Sequence, residues 1–297
     1  METCRNLKMK VFAVIVTYNP DLDHVADLCK VLIQSNCNVV FVDNSGNGGL
    51  DKFSKVAEVS VLDLGTNEGI AHAQNLGIDY AVKQGAETIV FFDQDSQIEL
   101  NFLSALVAPL VIGTPKVVAP VFFDAKQGYE YPSFRFSRFG LLKKVYSTGK
   151  QTPYPVDVII SSGSAATIEV FDIAGMMDEA FFIDFVDIEW SIRCRRNNIP
   201  IEIVPQAIMT HSIGETSINL GVMRGFIHSA QRSYYKVRNP FLLLRKADIP
   251  KALAVKEIVA AMVHQLVFIF AVKKKQDYIK SYMYGILDGI KGITGKK

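Results

Sequence analysis

Cysteine is too scarce in this sequence to hold a fold together. Cys4, Cys29, Cys37 and Cys194 are the 4 cysteines in 297 residues, and no two form a CxxC pair. A disulfide scaffold and a thiolate metal cluster are excluded, and a reduced, cytosolic compartment is expected. Long apolar runs are missing as well. The longest, residues 258–272, is broken by His264 and Gln265 and falls short of the about 18–20 uninterrupted apolar residues of a spanning helix. A polytopic membrane protein is excluded. No charged leader followed by an apolar stretch opens the chain, so residues 1–10 are expected to be a polar lead-in rather than a secretion signal. Two glycine signatures are absent too: no GxGxxG follows the first apolar run, and no GxxxxGK[ST] loop occurs. Nicotinamide oxidoreductases and P-loop NTPases drop out.

Apolar residues, by contrast, are plentiful. With 49% hydrophobic and 21% charged residues, the chain can bury one large core or two smaller ones, and disorder is excluded. The net charge of +2 conceals an asymmetry: residues 224–297 hold 15 Lys/Arg against 4 Asp/Glu, a balance of +11, which leaves −9 for residues 1–223. An acidic body argues against nucleic acid as its ligand, whereas a basic, apolar tail suits an anionic surface such as phospholipid headgroups. The expected division is a ligand-binding body at 1–223 and a helical extension at 224–297.

Val11–Thr17 (VFAVIVT) is a continuous apolar, β-branched run, the pattern of a parallel strand buried on both faces. Leu22, Val25, Cys29, Leu32 and Ile33 then recur at helical spacing, and residues 39–42 form a second such run. The pattern predicts a third strand at 59–64, a helix facing inward through Ile70, Ala73, Leu76, Gly77, Tyr80 and Ala81, and a fourth strand at 88–92. Strand and helix alternate, which implies an α/β fold with a doubly wound, mostly parallel sheet. After Pro120 the period loosens. Residues 129–155 read as loops or short strands, 156–160, 165–169, 201–204 and 207–210 as strands, and 187–197 as a helix. From 227 onward the chain reads as helical, at 241–245, 252–272 and 278–290, punctuated by Pro240 and Pro250.

In an open α/β sheet, ligands bind outside the carboxyl ends of the strands. Here those ends are all polar: Thr17-Tyr18-Asn19-Pro20, Asp43-Asn44-Ser45, Thr66-Asn67-Glu68-Gly69 and Asp93-Gln94-Asp95-Ser96. Two carboxylates one residue apart at a strand end can hold a hard divalent cation that keeps positions open for phosphate oxygens and water. In isolation the same pair suits a solvated loop whose Asp caps a helix. Its place after the fourth strand favours the metal.

In order and spacing, these four segments resemble family 2 inverting glycosyltransferases with the GT-A fold, over residues 11–214. FFDQDS, SSGS at 161–164, FFIDFVDIEW at 181–190 and HSIG at 211–214 look like the rhamnosyltransferase subgroup that builds bacterial surface polysaccharides. The resemblance implies roles. Asp43 would hold the pyrimidine base, while Thr17, Tyr18, Asn19 and Asn67 line the nucleotide slot. Asp93 would face the ribose, and Asp95 would ligate Mg²⁺ or Mn²⁺ with His211 as a further metal or phosphate ligand. Asp187 matches the catalytic base, against the alternative of a helix N-cap. Val186 stands where many relatives carry Glu. Glu189 and Arg193 would form an ion pair, either internal or directed at phosphate. Ser162, Gly163 and Ser164 would face the sugar or make an ordinary strand-edge turn, and Phe181 and Phe182 would meet the methyl of a 6-deoxy sugar.

The implied donor is dTDP-β-L-rhamnose, with a UDP-hexose as the alternative. The implied acceptor is a lipid-diphosphate-linked glycan of O-antigen or capsule type. In the extension, Arg232, Tyr234, Tyr235, Lys236, Arg238 and Asn239 suit a diphosphate-lipid site or a solvated helix face. Residues 258–270, with Lys273, Lys274 and Lys275 after them, suit an in-plane anchor on the cytoplasmic face of a bacterial membrane or a helix covering the sheet. A haloacid-dehalogenase-like phosphatase also presents hhhhDxDx[ST], but on its first strand. A catalytically dead scaffold is disfavoured by the presence of Asp93, Asp95 and Asp187 together.

Overall fold

The computed structural model describes residues 9–46, 49–124, 128–210, 217–219, 224–226, 229–271 and 275–297. Strands β1 (Val11–Thr17), β2 (Asn38–Asp43), β3 (Val59–Asp63) and β4 (Thr88–Asp93) are parallel and lie in the order β3-β2-β1-β4. Alternate residues of β1 serve opposite faces. Phe12 and Val14 join one apolar cluster, and Val11, Ala13 and Ile15 the other. That two-sided burial is why the run is apolar throughout instead of alternating.

Helix α1 (Leu22–Gln34) covers one face with Val25, Leu28, Cys29 and Leu32. It starts where the sequence supplies an acceptor: Asp21 takes the amides of Asp23 (3.0 Å) and His24 (3.4 Å). Helix α2 (Ile70–Lys83) covers the opposite face with Ala71, Ala73, Ile78 and Ala81, and the short α3 (Phe102–Val107) joins α1 on its side.

Beyond β4 one antiparallel strand interrupts an otherwise parallel run. Strands β5 (Val117–Asp124), β6 (Tyr129–Glu130), β7 (Ser133–Phe136), β8 (Leu142–Val145), β9 (Tyr154–Pro155), β10 (Ala165–Thr167) and β11 (Ile201–Thr210) follow. β10 inserts antiparallel between β4 and β5, β11 runs parallel beside β5, and β9 closes the edge antiparallel to β11. β7 and β8 pair with each other as a separate hairpin, and so do β12 (Ser217–Asn219) and β13 (Arg224–Phe226). Helices α4 (Glu169–Ala174) and α5 (Val186–Arg196) lie on the α2 face.

Three expectations are corrected. Residues 156–160 are not a strand: the amides of Val156 and Val158 reach Ile201 and Phe134 as isolated contacts, and that of Ile159 reaches the Ser191 hydroxyl. The segments 201–204 and 207–210 are one strand, shifted in register between Val204 and Ile208, where Pro205 can donate nothing to a ladder. Pro240 does not end a helix. It lies within α6 (Ala230–Arg245), which is followed by α7 (Lys251–Ala271) and α8 (Lys275–Lys291).

The α2–sheet contact depends on Gly77. A Cβ there would lie 2.4 Å from Val14 Cγ1 and 3.2 Å from Val42 Cγ2, both β-branched side chains in a filled core. Gly77→Ala should therefore cost about 1–3 kcal/mol through overpacking. Urea denaturation should show a lower midpoint at unchanged slope; an unchanged midpoint would mean that the helix can lift from the sheet without penalty.

Candidate active site

The polar strand ends converge and are laced together. Tyr18 N–H donates to Gln94 Oε1 (2.7 Å), and Gln94 Nε2 returns a bond to the Tyr18 carbonyl (3.3 Å), tying β1 to β4. Asn19, at a positive φ of 46°, donates its amide to Ser45 Oγ (2.6 Å). Asn44 Nδ2 donates to Asn67 Oδ1 (3.1 Å), while Asn44 Oδ1 accepts the Glu68 amide (2.8 Å). Thr17 is fully buried and its hydroxyl donates to the Val42 carbonyl, so it is not open to a ligand directly. Asp43 is 1% exposed, and its Oδ1 takes the Ser45 amide (2.8 Å). Its other oxygen has no partner among the described residues.

The 161–164 segment links the DxD strand end to the start of α5. Ser162 Oγ accepts the Asp93 amide (3.1 Å) and lies 3.1 Å from Ser96 Oγ, and the Gly163 amide bonds the Phe91 carbonyl (2.7 Å). Gly163 has φ 71°, and a Cβ there would meet Met209 Sδ at 2.7 Å and Pro120 Cγ at 2.8 Å, so glycine is required on both counts. The Ser161 amide lies near enough to the Asp187 carboxylate to favour its charged form. Asp187 is not the N-cap of α5. That position belongs to Phe185, and Asp187 sits in the first turn with Oδ1 on the Ile188 amide (2.9 Å). Burial, reinforced by the nearby Asp184 charge, pushes its carboxyl up to about 6, against the pull of the Ile188 and Ser161 amides.

The approach to α5 is strained: Phe182, Asp184 and Phe185 have φ of 62°, 62° and 68°. Helix α6 holds them in place. Asn239 Nδ2 donates to the carbonyls of Phe181 (2.9 Å), Ile183 (2.6 Å) and Asp184 (3.0 Å). Arg238 donates to the carbonyls of Ala180 (3.1 Å), Phe181 (3.1 Å) and Gly295 (2.6 Å), and Arg232 pairs with Asp184 (3.0 Å). Tyr234, Tyr235, Arg238 and Asn239 are all buried, so these four form a clamp, not a lipid-diphosphate site or a solvated face, while Arg232 and Lys236 are half-buried.

Two further corrections follow from packing. Arg193 is not free for phosphate. Its Nε takes both Glu189 oxygens at 2.9 Å, and its terminal nitrogens go to the Ala174 and Met176 carbonyls. Phe181 is fully buried in the core, and Phe182 stacks on Tyr235 with centroids 4.6 Å apart, so neither is open to a sugar methyl. The DxD pair follows β4 rather than β1, which removes the phosphatase reading. His211 lies outside the described residues. Its neighbour Thr210 forms an antiparallel bridge with Gln97, two residues past Asp95.

No cluster of three or more metal-type side chains occurs among the described residues. Asp95 nevertheless suits a hard cation: its carboxylate is exposed and has no hydrogen bond or ion pair among them. One or two carboxylates with phosphate oxygens and water are a sufficient donor set for Mg²⁺.

The profile of Glycosyl transferase family 2 matches residues 12–171. The chain is also 44% identical, over 290 residues, to the dTDP-rhamnosyl transferase RfbF of Shigella flexneri, covering 97% of this chain and 98% of that protein. The chain belongs to glycosyl transferase family 2. A low-salt glycan biosynthesis hexosyltransferase of Haloferax volcanii is 26% identical over 95% of this chain and 92% of its own. Among solved structures, S. aureus TarS 1-349 aligns with 96% of this glycosyltransferase and 81% of its own chain, with a TM-score of 0.55 and 17% identity. GalNAc-T7, solved with UDP, GalNAc and Mn²⁺, aligns with 80% of this chain and 51% of its own, with a TM-score of 0.59 and 18% identity. At such identities the likeness is one of fold, and it is to GT-A glycosyltransferases.

The raised Asp187 carboxyl leads to two expected pH dependences. In the base role that the resemblance implies, Asp187 would work only when ionised, so turnover should fall as pH drops below about 6. Stability runs the opposite way. The native state holds this proton more tightly than the unfolded chain, so the contribution is full below the ordinary Asp range and is lost as pH rises through about 6. Asp187→Asn should lower turnover by about 10²-fold or more, while its Tm at pH 8 equals or exceeds that of the parent, the gain vanishing near pH 4. Normal turnover, or a lower Tm at pH 8, would contradict the assignment.

Proposed function

We propose that this glycosyltransferase moves L-rhamnose from dTDP-β-L-rhamnose, with inversion, onto a lipid-diphosphate-linked glycan, working at the cytoplasmic surface of a bacterial membrane. The sugar is supported by the 44% identity to a dTDP-rhamnosyl transferase along nearly the whole chain. The chemistry is supported by one observation: Ser162, which accepts the Asp93 amide, follows Ser161, whose amide faces the Asp187 carboxylate. In this reading one loop lies between the general base and the leaving-group site.

In this reading Asp43 receives the pyrimidine, Tyr18, Asn19 and Asn67 frame the nucleotide, and Asp93 faces the ribose. Asp95 holds Mg²⁺ or Mn²⁺, with His211 as a further ligand; the cation, when bound, offsets charge on the departing diphosphate. Asp187 accepts the proton of the acceptor hydroxyl as its oxygen attacks the anomeric carbon opposite the diphosphate. The bond to the diphosphate breaks, and a β-linked donor yields an α-L-rhamnoside. No described helix is long and apolar enough to cross a membrane, so attachment would be through the surface of the extension.

Offered dTDP-β-L-rhamnose and UDP-hexoses side by side with a lipid-diphosphate acceptor, the protein should use the rhamnosyl donor. Efficient use of UDP-glucose instead would overturn the sugar but not the family. Asp95→Ala should abolish the Mn²⁺-dependent thermal stabilisation by dTDP; equal stabilisation of both proteins would remove the metal role.

A further inference from the structure

The β7–β8 hairpin lies outside the strand-end cluster, and its charges are placed at a cost. Its register sets Arg135 directly opposite Lys143, and Phe134 opposite Lys144. Like charges directly opposed destabilise a ribbon, and two strands alone are marginal. Residues 133–150 carry five basic side chains, Arg135, Arg138, Lys143, Lys144 and Lys150, and no Asp or Glu, although residues 1–223 as a whole are acidic. Arg135, Lys143 and Lys150 border a cleft of about 340 Å³ whose walls are Phe136, Val145 and Tyr154, with no carboxylate in its lining. None of the five basic residues has an ion-pair partner among the described residues.

The hairpin tip is apolar and open. Phe139 is 68% exposed under the Arg138 guanidinium (4.6 Å), and Leu141 and Tyr146 are also exposed. The tip abuts the C-terminal helices: a Cβ on Gly140 would lie 2.8 Å from Pro250, the residue before α7. From there Val255, Val259 and Val263 form an exposed stripe along α7 at a spacing of four, within the segment of charge +11. Glu130 and Asp157 do touch the hairpin, but their bonds go to Ser147 and to the Phe136 amide rather than to its cations. Basic side chains without an ion-pair partner among the described residues, flanking an apolar tip continuous with a basic and apolar helix pair, complement an anionic bilayer.

We propose that the β7–β8 hairpin is a membrane-docking finger: Phe139 and Leu141 enter the acyl boundary of an anionic bilayer, while Arg135, Arg138, Lys143, Lys144 and Lys150 take phospholipid phosphates. The bilayer removes the repulsion between Arg135 and Lys143, so their opposition becomes favourable on binding. The proposal rests on the peripheral-membrane reading above and adds a second contact to it, distant in sequence from α7.

The test is co-sedimentation of the full chain with phosphatidylcholine vesicles, with and without phosphatidylglycerol. The parent protein should bind the anionic vesicles alone, and less with added salt. Phe139→Ser/Leu141→Ser and Arg135→Gln/Lys143→Gln should each lower partitioning roughly tenfold. The charge pair should keep or raise Tm without vesicles, and rhamnosyl transfer to a water-soluble acceptor should be unchanged in both. Arg135→Lys/Lys143→Arg should bind normally. If both hairpin variants bind as the parent does while Val255→Ser/Val259→Ser/Val263→Ser does not, the finger is wrong and the α7 contact stands. If the parent ignores anionic vesicles, both readings fall. A dimer in sedimentation velocity that Phe139→Ser dissolves would assign the face to a second copy of the chain and overturn the proposal.

Discussion

A buried arginine–asparagine pair on α6 is the constraint on which the rest of the site depends. Arg238 and Asn239 are both fully buried and together take carbonyls from Ala180, Phe181, Ile183, Asp184 and Gly295. A buried guanidinium without its acceptors is expensive, and each carbonyl left alone there would cost about 1–3 kcal/mol. The segment they grip passes through three non-glycine residues at positive φ, a conformation that persists only where the surroundings over-determine it. Faces of Tyr234 and Tyr235 lie 5.4 Å and 4.8 Å from the Arg238 guanidinium, and Tyr234 OH donates to Asp288 on α8 (2.8 Å). The extension therefore does more than reach for a surface. It sets the direction in which α5 starts, and so where the Asp187 carboxylate stands.

From that anchor the geometry follows by short links. Asp187 faces the Ser161 amide, and Ser162 accepts the Asp93 amide. Gln94 ties β4 to Tyr18, and Asn44 and Asn67 tie β2 to the turn after β3. Lys296, near the end of the chain, reaches Glu68 (2.9 Å) and Thr66 (3.1 Å) on that same turn. The polar strand ends are thus tied to one another, and in the proposed reading the base on α5 stands beside them, where a small displacement would be costly.

The first half of the sheet was legible in the sequence because a strand buried on both faces has no alternation to confuse it, as in Val11–Thr17, and the polar strand ends stand out against such runs. The later elements were legible in part: α5, β11 and β10 were expected near where they stand, but β10 stops at Thr167, short of the expected 169, and the continuity of β11 across Pro205 depends on a register shift with β5. The α6 side chains misled for a physical reason: cations interleaved with aromatics look alike whether they bind an external diphosphate or stack on one another in a core. Arg193 misled likewise, since nothing in the spacing Glu189 to Arg193 tells an inward i,i+4 pair from one directed outward. The clamp role of Asn239 had no sequence signal, because its partners are carbonyls more than 50 residues away.

The most direct test of this coupling is Asn239→Ala, read as turnover against dTDP affinity, with hydrogen exchange followed over residues 182–187. The clamp account predicts faster exchange in that segment and turnover lowered at least tenfold, with dTDP affinity within about twofold of the parent, since the nucleotide slot is built by other strands. Unchanged turnover with faster exchange, or equal losses of turnover and affinity, would show that α6 does not position the base.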